Sequence, residues 1–377
     1  MTMTEPTDVG SSALPDPSSA APRFQLPPEA YLDPSFLERE MDRLFHHSWS
    51  LVADSAALAE IGAAVPVMVG RCPIVVMRTE AGLVAHHNIC RHRGMQIVPE
   101  PMNCSTLRCS YHGWEWDTAG DLQRVPQRRT QFPDIDTVAL ALVPAAVGEW
   151  EGMVFVNPDA DAPSLVEAMG VMPEGIGSFH PGQLAQVANV RLEVECNWKL
   201  FVENHIDVYH LWYLHDRTLA DFDHTRFEHN AADGNWTSYE PVKAARLDSV
   251  EPAAGTVAIE HIDDRDRFGI GAHMMFPNLL MASTVEFFIT YAISPINEHR
   301  SVIDLRVRAE AGSDPDALVA SARSFIDEDI VACEQIQAAM KSQHFAVGPL
   351  SQDHERPIEQ FQRRLLQVVA EPWESPT

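Results

Sequence analysis

The chain has 377 residues, 45% of them hydrophobic, and a formal net charge of −27. This length predicts two or three domains, and the acidic balance excludes a nucleic-acid-binding protein, which needs a basic surface. No uncharged apolar run approaches the length of a membrane span, and the first residues lack the basic and apolar regions of a secretory signal, so we expect a cytoplasmic protein.

Composition and hydrophobic periodicity divide the chain into four regions. Residues 1–25 are rich in Pro, Ser and Ala without periodicity, which predicts a disordered tail. Residues 26–48 hold a helical pattern that we expect to pack on the C-terminal domain. Short β-branched segments separated by Gly, Pro and Asn over 49–160 predict an all-β domain. Residues 161–377 mix helical patterns with strands, which predicts an α+β domain.

Four segments define the secondary structure expected in the last region. Residues 192–215 begin with alternation and continue as a long, mostly apolar helix. Residues 277–294 and 300–310 predict strands that would belong to an antiparallel sheet. Residues 314–342 predict a long amphipathic helix that begins after Asp314 as its N-cap.

Two short loops in the β region each pair one cysteine with one histidine. They are Cys90-x-His92 and, after 16 further residues, Cys109-x2-His112. This set matches a Rieske centre, in which two thiolates hold one iron and two imidazoles hold the other. The alternative is a structural zinc site, but zinc loops usually pair like ligands, so the mixed loops favour the iron–sulfur cluster.

A second group of candidate ligands lies in the apolar segment 197–215. Burying Asp207, His210 and His215 there without a partner is costly, and a metal ion would supply the partner. Two histidines and one carboxylate are the ligands of non-haem Fe(II) oxygenases. His210 and His215 are five residues apart, so both reach one metal ion only if the helix ends or bulges between them.

A distant carboxylate is needed as the third ligand, and helical spacing selects it. Asp329 shares the apolar stripe of the predicted helix with Phe325 and Cys333, where an acid needs a cation. Asp327 lies beside Arg323 on a more solvent-exposed side of the helix, and it remains the alternative ligand.

The motifs around these residues resemble those of the Rieske-type ring-hydroxylating non-haem iron oxygenases. The resemblance rests on HRG after the first pair, YHGW around the second, D-x-Y-H-x4-H from Asp207 to His215, and E-D-I-x3-E-Q around Asp329. It implies an N-terminal all-β Rieske domain followed by an α+β helix-grip (START-like) catalytic domain. It also implies two cofactors, one [2Fe–2S] cluster and one mononuclear Fe(II).

The resemblance bears on three further residues. Asp207 would bridge rather than ligate, by hydrogen-bonding a ligand histidine and reaching a cluster histidine of a neighbouring subunit. A homotrimer, possibly with an additional β subunit, is therefore implied. Asn204 would lie close to the iron, and its alternative is a local hydrogen bond within the helix. His205 would pack or line the pocket without binding metal.

The function implied is that of a terminal oxygenase, which uses O₂ and electrons from a separate NAD(P)H-dependent reductase. The chain has no G-x-G-x-x-G motif and no plant-type cluster motif of its own, and a ferredoxin could stand between the two proteins. Six arginines against four acids over 90–130 suggest a docking surface for that partner, or chance clustering.

The substrate is expected to be small, with an aromatic acid as the first candidate and a quaternary ammonium compound as the second. Candidate pocket residues are Leu211, Trp212, His273, Met275 and Phe287, each with core packing as the alternative. Two other protein classes remain open: a Rieske electron-transfer protein without catalysis, and a zinc-binding interaction protein.

Overall fold

The N-terminal segment forms two helices that lie against the C-terminal domain in the computed structural model, which describes residues 24–370. They are α1 (Glu29–Leu32) and α2 (Pro34–Arg43). The carboxylate of Asp33 accepts a hydrogen bond from Ser35 N at 2.8 Å and starts α2 as its N-cap. The predicted disordered tail lies outside the described residues except for its last two, of which Phe24 packs against the core.

The following region is built from short strands in two sheets. A seven-stranded sheet has the order β1-β10-β9-β4-β3-β2-β5, and a three-stranded sheet has the order β6-β7-β8. The strand bounds are β1 Ser50–Asp54, β2 Ala63–Val69, β3 Cys72–Thr79, β4 Gly82–His87, β5 Met102–Asn103, β6 Leu107–Arg108, β7 Glu115–Trp116, β8 Leu122–Arg124, β9 Pro144–Trp150 and β10 Met153–Asn157.

Strand β3 is buried on both faces and so organises this domain. Ile74 and Val76 point into one apolar cluster, while Val75 and Met77 point into another, as the period of two requires. The second cluster extends to the small sheet and to the cysteines of both candidate cluster loops. The two loops are therefore anchored on a packed core, which confirms the predicted all-β domain.

The C-terminal domain is organised by a seven-stranded antiparallel sheet of order β11-β17-β16-β15-β14-β13-β12. Its strands are β11 Ala185–Val194, β12 Glu228–Ala232, β13 Asn235–Pro241, β14 Gly269–Met275, β15 Leu279–Ser283, β16 Phe288–Asn297 and β17 Arg300–Ala309. Trp236, Met274 and Tyr291 project from the face that packs on the main helices, while Met275 and Met281 project from the opposite face. The α+β class predicted from the sequence is confirmed.

The helices of the structure include one long helix and several short ones. Their bounds are α3 Arg128–Gln131, α4 Leu165–Met169, α5 Met172–Ile176, α6 Trp198–His205, α7 Leu211–Leu214, α8 Asp264–Arg267, α9 Pro315–Ala339 and α10 Arg356–Ala370. Helix α9 confirms the predicted amphipathic helix, and Asp314 caps it by accepting from Asp316 N at 3.0 Å. No helix among residues 24–370 is both long enough and apolar enough to cross a bilayer.

The long helix predicted within 192–215 is wrong, because the chain forms β11, α6 and α7 there with a break at 206–210. Asp207 supplies the physical reason. Its Oδ1 accepts a hydrogen bond from Tyr209 N at 2.6 Å, and such a local side-chain contact competes with the helical backbone pattern. The break precedes both histidines, so their relative placement depends on the end of α7 at Leu214, after which His215 leaves the helical conformation with ψ of 33°.

A buried polar network attaches the N-terminal segment to α6. Lys199 Nζ donates to Glu40 Oε1 at 2.7 Å, and both side chains are 0% exposed. Trp198 Nε1 donates to the other oxygen of Glu40 at 3.0 Å. One turn further along α6, Tyr31 donates to Glu203 at 2.7 Å, and burial is the main cause that raises the pKa of Glu203 to about 7. These contacts hold in place the helix that precedes the candidate iron ligands.

Substituting Lys199→Met is expected to destabilise the protein, because Glu40 would remain as an unpaired buried charge. Removing one partner of a buried pair costs about 3–5 kcal/mol, measurable as a loss of unfolding free energy in chemical denaturation. The control Arg323→Ala breaks a half-exposed pair with Asp327 and should cost about 0–1 kcal/mol. A Lys199→Met protein as stable as the wild type would contradict this account.

Candidate functional site

The two candidate cluster loops have the same backbone conformation. Gly94 N donates to Cys90 O at 2.9 Å, and Gly113 N donates to Cys109 O at 2.9 Å. The two glycines adopt φ of 79° and 69°, a region that other residues rarely enter. A side chain at Gly94 would meet open space, so backbone conformation rather than crowding requires glycine.

The side chains of these loops divide by burial. Cys90 and Cys109 are 4% and 1% exposed, and burial is the main cause that raises the pKa of the Cys90 thiol. His92 and His112 lie nearer the surface with their Nδ1 atoms 3.2 Å apart, and Trp114 stacks on His92 with ring centroids 4.9 Å apart. The two cysteine thiols therefore lie in the protein interior, and the two histidine rings lie next to each other nearer the surface.

Donor spacing distinguishes a two-iron cluster from a zinc ion at these loops. Four ligands of one tetrahedral zinc would lie about 3.3–3.8 Å apart, given metal–ligand distances of about 2.0–2.3 Å. Among residues 24–370, only one group of three histidine, cysteine or acidic residues has its donor atoms within 4.8 Å of one another. That group is His210, His215 and Asp329. No three donor atoms of the cysteine–histidine loops are this close together, so the loops do not fit a single zinc ion. They fit a cluster held by two thiolates at one iron and two imidazoles at the other.

The second site brings three donor atoms to one point. His210 Nε2 and His215 Nε2 lie 3.2 Å apart, and Asp329 Oδ1 lies 3.5 Å from the first and 3.0 Å from the second. Donors at right angles around a metal, each about 2.1 Å from it, would be about 3.0 Å apart. The spacing therefore fits a metal bound by two histidines and a carboxylate, with further positions open.

Short structural elements aim these donors. His210 is the residue before α7 and His215 is the residue after it, and Leu214 N donates to His210 O at 2.9 Å across this single turn. Asp329 projects from the middle of α9 and is buried. The two histidines thus flank one turn of helix, which brings together rings that one regular helix would separate.

The electrostatics of the triad are those of a cation site. Burial works against protonation of His210, but the nearby carboxylates of Asp207 and Asp329 raise its pKa to about 10. Burial opposes ionisation of Asp329, yet the two imidazoles lower the pKa of its carboxyl group. Asp329 Oδ1 is also buried without a hydrogen-bond partner. A divalent metal ion would supply the positive charge that this arrangement requires.

The alternative ligand Asp327 faces away from this site. Its Oδ1 accepts from Arg323 Nε at 3.1 Å on the half-exposed side of α9. The structure therefore brings Asp329, and not Asp327, to the two histidines, as helical spacing predicts. Their role as ligands stays a prediction.

Glu328, the neighbour of Asp329 in sequence, lies behind the ring of His215. Its Oε2 accepts from His215 Nδ1 at 2.7 Å and from Thr218 Oγ1 at 2.8 Å. A carboxylate on the far nitrogen of a ligand histidine fixes its tautomer and orients the ring. The only sequence signal was its place next to Asp329, which does not reveal the contact.

The two residues with other predicted roles lie close by. Asp207 Oδ2 is 3.4 Å from His210 Nδ1, and that nitrogen makes no hydrogen bond within the described residues. Asn204 Oδ1 is buried without a hydrogen-bond partner, which removes the local helix bond as an explanation for that atom. The bridging role of Asp207 and the position of Asn204 near iron remain predictions.

A cavity opens onto the triad. Its volume is about 60 Å³, which is small for a small-molecule site. Besides the triad and Asp207, its lining consists of His205, Val208, Leu211, Leu219, Trp236, Ser238, Glu240, Ile270, Ala272, Ala282, Tyr291 and Phe325.

Of the five candidate pocket residues, Leu211 lines this cavity and the other four do not. His273 and Met275 lie on β14, whose neighbouring residue Ala272 does line it. Adjacent strand residues face opposite sides of a sheet, so an offset of one residue moves a side chain away from the site. The expectation for these two residues is therefore wrong.

His205 lines the cavity without joining the triad. Its Nε2 donates to His273 O at 3.0 Å, which leaves Nδ1 to accept from Tyr291 Oη at 2.7 Å. Burial is the main cause that lowers the pKa of His205 to about 4, so the ring is neutral near pH 7. Both nitrogens are occupied, which agrees with the expectation that His205 is not a ligand.

Family models and known proteins match both halves of the chain. The Rieske [2Fe-2S] domain matches residues 48–143, and the Ring hydroxylating alpha subunit (catalytic domain) matches residues 181–371. Chlorobenzene dioxygenase subunit alpha of Cupriavidus sp. (strain PS12) is 34% identical over 190 residues, which cover 48% of this chain and only 42% of that protein. The chain thus spans less than half of the length of this relative.

Two further matches extend over almost the whole chain. Chloroplastic choline monooxygenase of Spinacia oleracea is 25% identical over 391 residues, covering 98% of this chain and 84% of that protein. The crystal structure of the quaternary ammonium Rieske monooxygenase CntA with an inhibitor superposes with a TM-score of 0.77, 21% identity, and coverage of 95% and 99%. At that identity the structural match establishes the fold.

Replacing Asp329 by Asn should abolish binding of the mononuclear iron, because the triad loses its anionic donor. Replacing Asp327 by Asn is the matched control and should leave the iron content unchanged. Iron per chain is measured after anaerobic reconstitution, with the cluster spectrum as evidence of folding. Loss of iron in Asp327→Asn alone would reverse the ligand assignment.

Replacing Glu328 by Ala should weaken iron binding by about 10–100-fold, since His215 would lose the partner that orients it. Titration with Fe(II) under anaerobic conditions measures the dissociation constant. Thr218→Val, which removes only the hydroxyl group that also contacts Glu328, should have the smaller effect. Equal affinities in wild type and Glu328→Ala would show that the contact does not position the ligand.

Proposed function

Because this chain belongs to the family of Rieske ring-hydroxylating oxygenase alpha subunits, we propose that it is a terminal oxygenase component. It would use O₂ and electrons from a separate NAD(P)H-dependent reductase to oxidise a small organic substrate. The observation that supports this proposal most directly is the convergence of His210, His215 and Asp329 beside a cavity. An electron carrier would need neither.

The family binds a [2Fe–2S] cluster and a mononuclear iron, which supply electron storage and O₂ activation when bound. We assign Cys90, Cys109, His92 and His112 to the cluster and the triad to the iron. Glu328 holds the ring of His215 in place through its far nitrogen. The apolar lining of the cavity limits access of water to the reacting substrate.

Asp207 is proposed as the electron path to the iron site. Its carboxylate lies beside His210, and Tyr209 and Tyr213 nearby are 51% and 87% exposed. Exposed aromatic residues of this kind are enriched at protein interfaces. We propose that a second copy of this chain docks there with its cluster loops, as in a homotrimer, and a β subunit remains compatible with this arrangement.

The electron donor would approach the cluster domain. Arg128 and Arg129 are exposed and lie outside the two cluster loops that a second copy would cover. Together with the excess of arginines over acids in 90–130, they offer a positive surface in a chain of net charge −27. An acidic reductase domain or ferredoxin fits this surface best.

The cavity favours the second of the two substrate classes considered from the sequence. An aromatic acid would place a carboxylate in a cavity whose lining residues include no lysine or arginine to receive it. An organic cation has no such requirement. We therefore propose a quaternary ammonium or similar organic cation as substrate, and the similarity to choline monooxygenase over nearly the whole chain supports this choice.

The test is reconstitution with a generic NAD(P)H-dependent reductase, isotopically labelled O₂ and a panel of quaternary ammonium compounds and aromatic acids. Wild-type protein should yield a labelled hydroxylated or demethylated product. His210→Ala should retain a reducible cluster and lose at least about 99% of product formation, because one iron ligand is missing. Asp327→Asn serves as the control that keeps turnover. Full activity of His210→Ala would end the proposal.

A further inference from the structure

Glu240 places a carboxylate in the cavity wall that the iron site does not use. It lies on β13, is 4% exposed, and lines the same cavity as the triad. A buried acid is costly unless something balances it. Neither His210 nor His215 contacts it, since their carboxylate partners are Asp207, Glu328 and Asp329.

His224 holds one side of this carboxylate. The imidazole is 5% exposed and donates from Nδ1 to Glu240 Oε2 in a short hydrogen bond. It belongs to the turn His224–Arg226, which begins where Asp223 accepts from Thr225 N at 3.2 Å. Oε1 of Glu240 has no hydrogen-bond partner among the described residues. One oxygen is thus fixed by the protein and the other is left for the cavity.

The charges around the cavity leave Glu240 as its available negative group. Its lining residues include three acids and, as noted, neither lysine nor arginine. Two of the acids, Asp207 and Asp329, are engaged by the histidines of the iron site. A molecule that enters the cavity therefore meets one carboxylate oxygen, Glu240 Oε1, without a hydrogen-bond partner among the described residues, and no lysine or arginine side chain.

Aromatic rings complete a surface suited to a cation. Trp236, Ser238 and Glu240 alternate along β13 and so share the face that borders the cavity. Tyr291 lies on the same face of the sheet. The faces of Trp and Tyr rings attract organic cations, quaternary ammonium groups above all. The Ser238 hydroxyl donates to Ala272 O at 3.3 Å and is already satisfied.

We infer that Glu240 is the residue that selects the substrate by charge. It receives the positive end of an organic cation, His224 fixes the orientation of its carboxylate, and Trp236 and Tyr291 flank the bound group. This inference rests on the proposed function for the reaction, but its content is a binding preference that exists with or without turnover. Glu240 is a specificity residue and takes no part in holding iron.

A purely structural role for the pair is the rival explanation. In that case Glu240 would serve only to tie the turn at His224 to β13, and charge would not matter to the ligand. Glu240→Gln separates the two roles because Gln has nearly the same shape and can still accept the hydrogen bond from His224. Only the negative charge is removed.

The experiment compares two probes of the same shape. Choline carries a quaternary ammonium group, and 3,3-dimethylbutan-1-ol is its uncharged carbon isostere. Binding to the iron- and cluster-loaded protein is measured by calorimetry for wild type, Glu240→Gln and Glu240→Asp. Thermal unfolding and the cluster spectrum establish that each variant is folded.

Wild type should bind choline at least about tenfold more tightly than the alcohol, since a buried charge pair adds to affinity only for the cation. Glu240→Gln should lose most of this preference while its affinity for the alcohol is unchanged, and Glu240→Asp should retain the preference. No preference in wild type, or an equal preference in Glu240→Gln, would overturn the inference. A charge preference without any oxygenated product would instead overturn the proposed function and leave the assignment of Glu240 intact.

Discussion

Three donor atoms that converge inside a packed protein are the constraint on which the C-terminal domain depends. His210 Nε2, His215 Nε2 and Asp329 Oδ1 lie within 3.0–3.5 Å of one another. Bringing an acid and two imidazoles out of water is unfavourable unless a cation joins them. The surrounding structure is arranged to keep these groups together, and this is why the site predicts a metal more strongly than any single residue does.

The chain holds the triad from both sides. Helix α9 presents Asp329 from one side with Glu328 reaching the back of His215, while the break after α6 turns His210 towards the same point. Helix α6 is itself fixed by the buried pair of Lys199 with Glu40. The N-terminal segment, far away in sequence, is therefore part of the support of the site. The opposite wall comes from the sheet, whose alternating residues give the cavity its aromatic rings and the carboxylate of Glu240.

The proposed cluster site is built differently, because its candidate ligands come from two matching loops and not from distant elements. Each loop needs a glycine with positive φ after its histidine, and each buries its cysteine in the domain core. Local sequence thus specifies nearly the whole cluster site. In the C-terminal domain, by contrast, Asp329 lies more than a hundred residues after the two histidines of the proposed iron site, and only the packing of α9 brings it there.

The sequence by itself indicated the candidate ligand types, the order of the two domains and the position of Asp329, rather than Asp327, on the buried side of α9. Spacing and helical periodicity are local properties, so they can be read without the fold. The sequence did not reveal the break at 206–210, because apolar residues on both sides of Asp207 favour a continuous helix until the side chain of Asp207 bonds the backbone. The sequence also did not reveal that Ala272, and not His273, faces the cavity. Strand β14 is buried on both faces, so its hydrophobic pattern does not say which side borders the cavity.

The contacts of Glu328 with His215 and of Glu240 with His224 join residues 113 and 16 positions apart. Only the tertiary structure decides these contacts, because a hydrogen bond between side chains far apart in sequence produces no periodic pattern of residues.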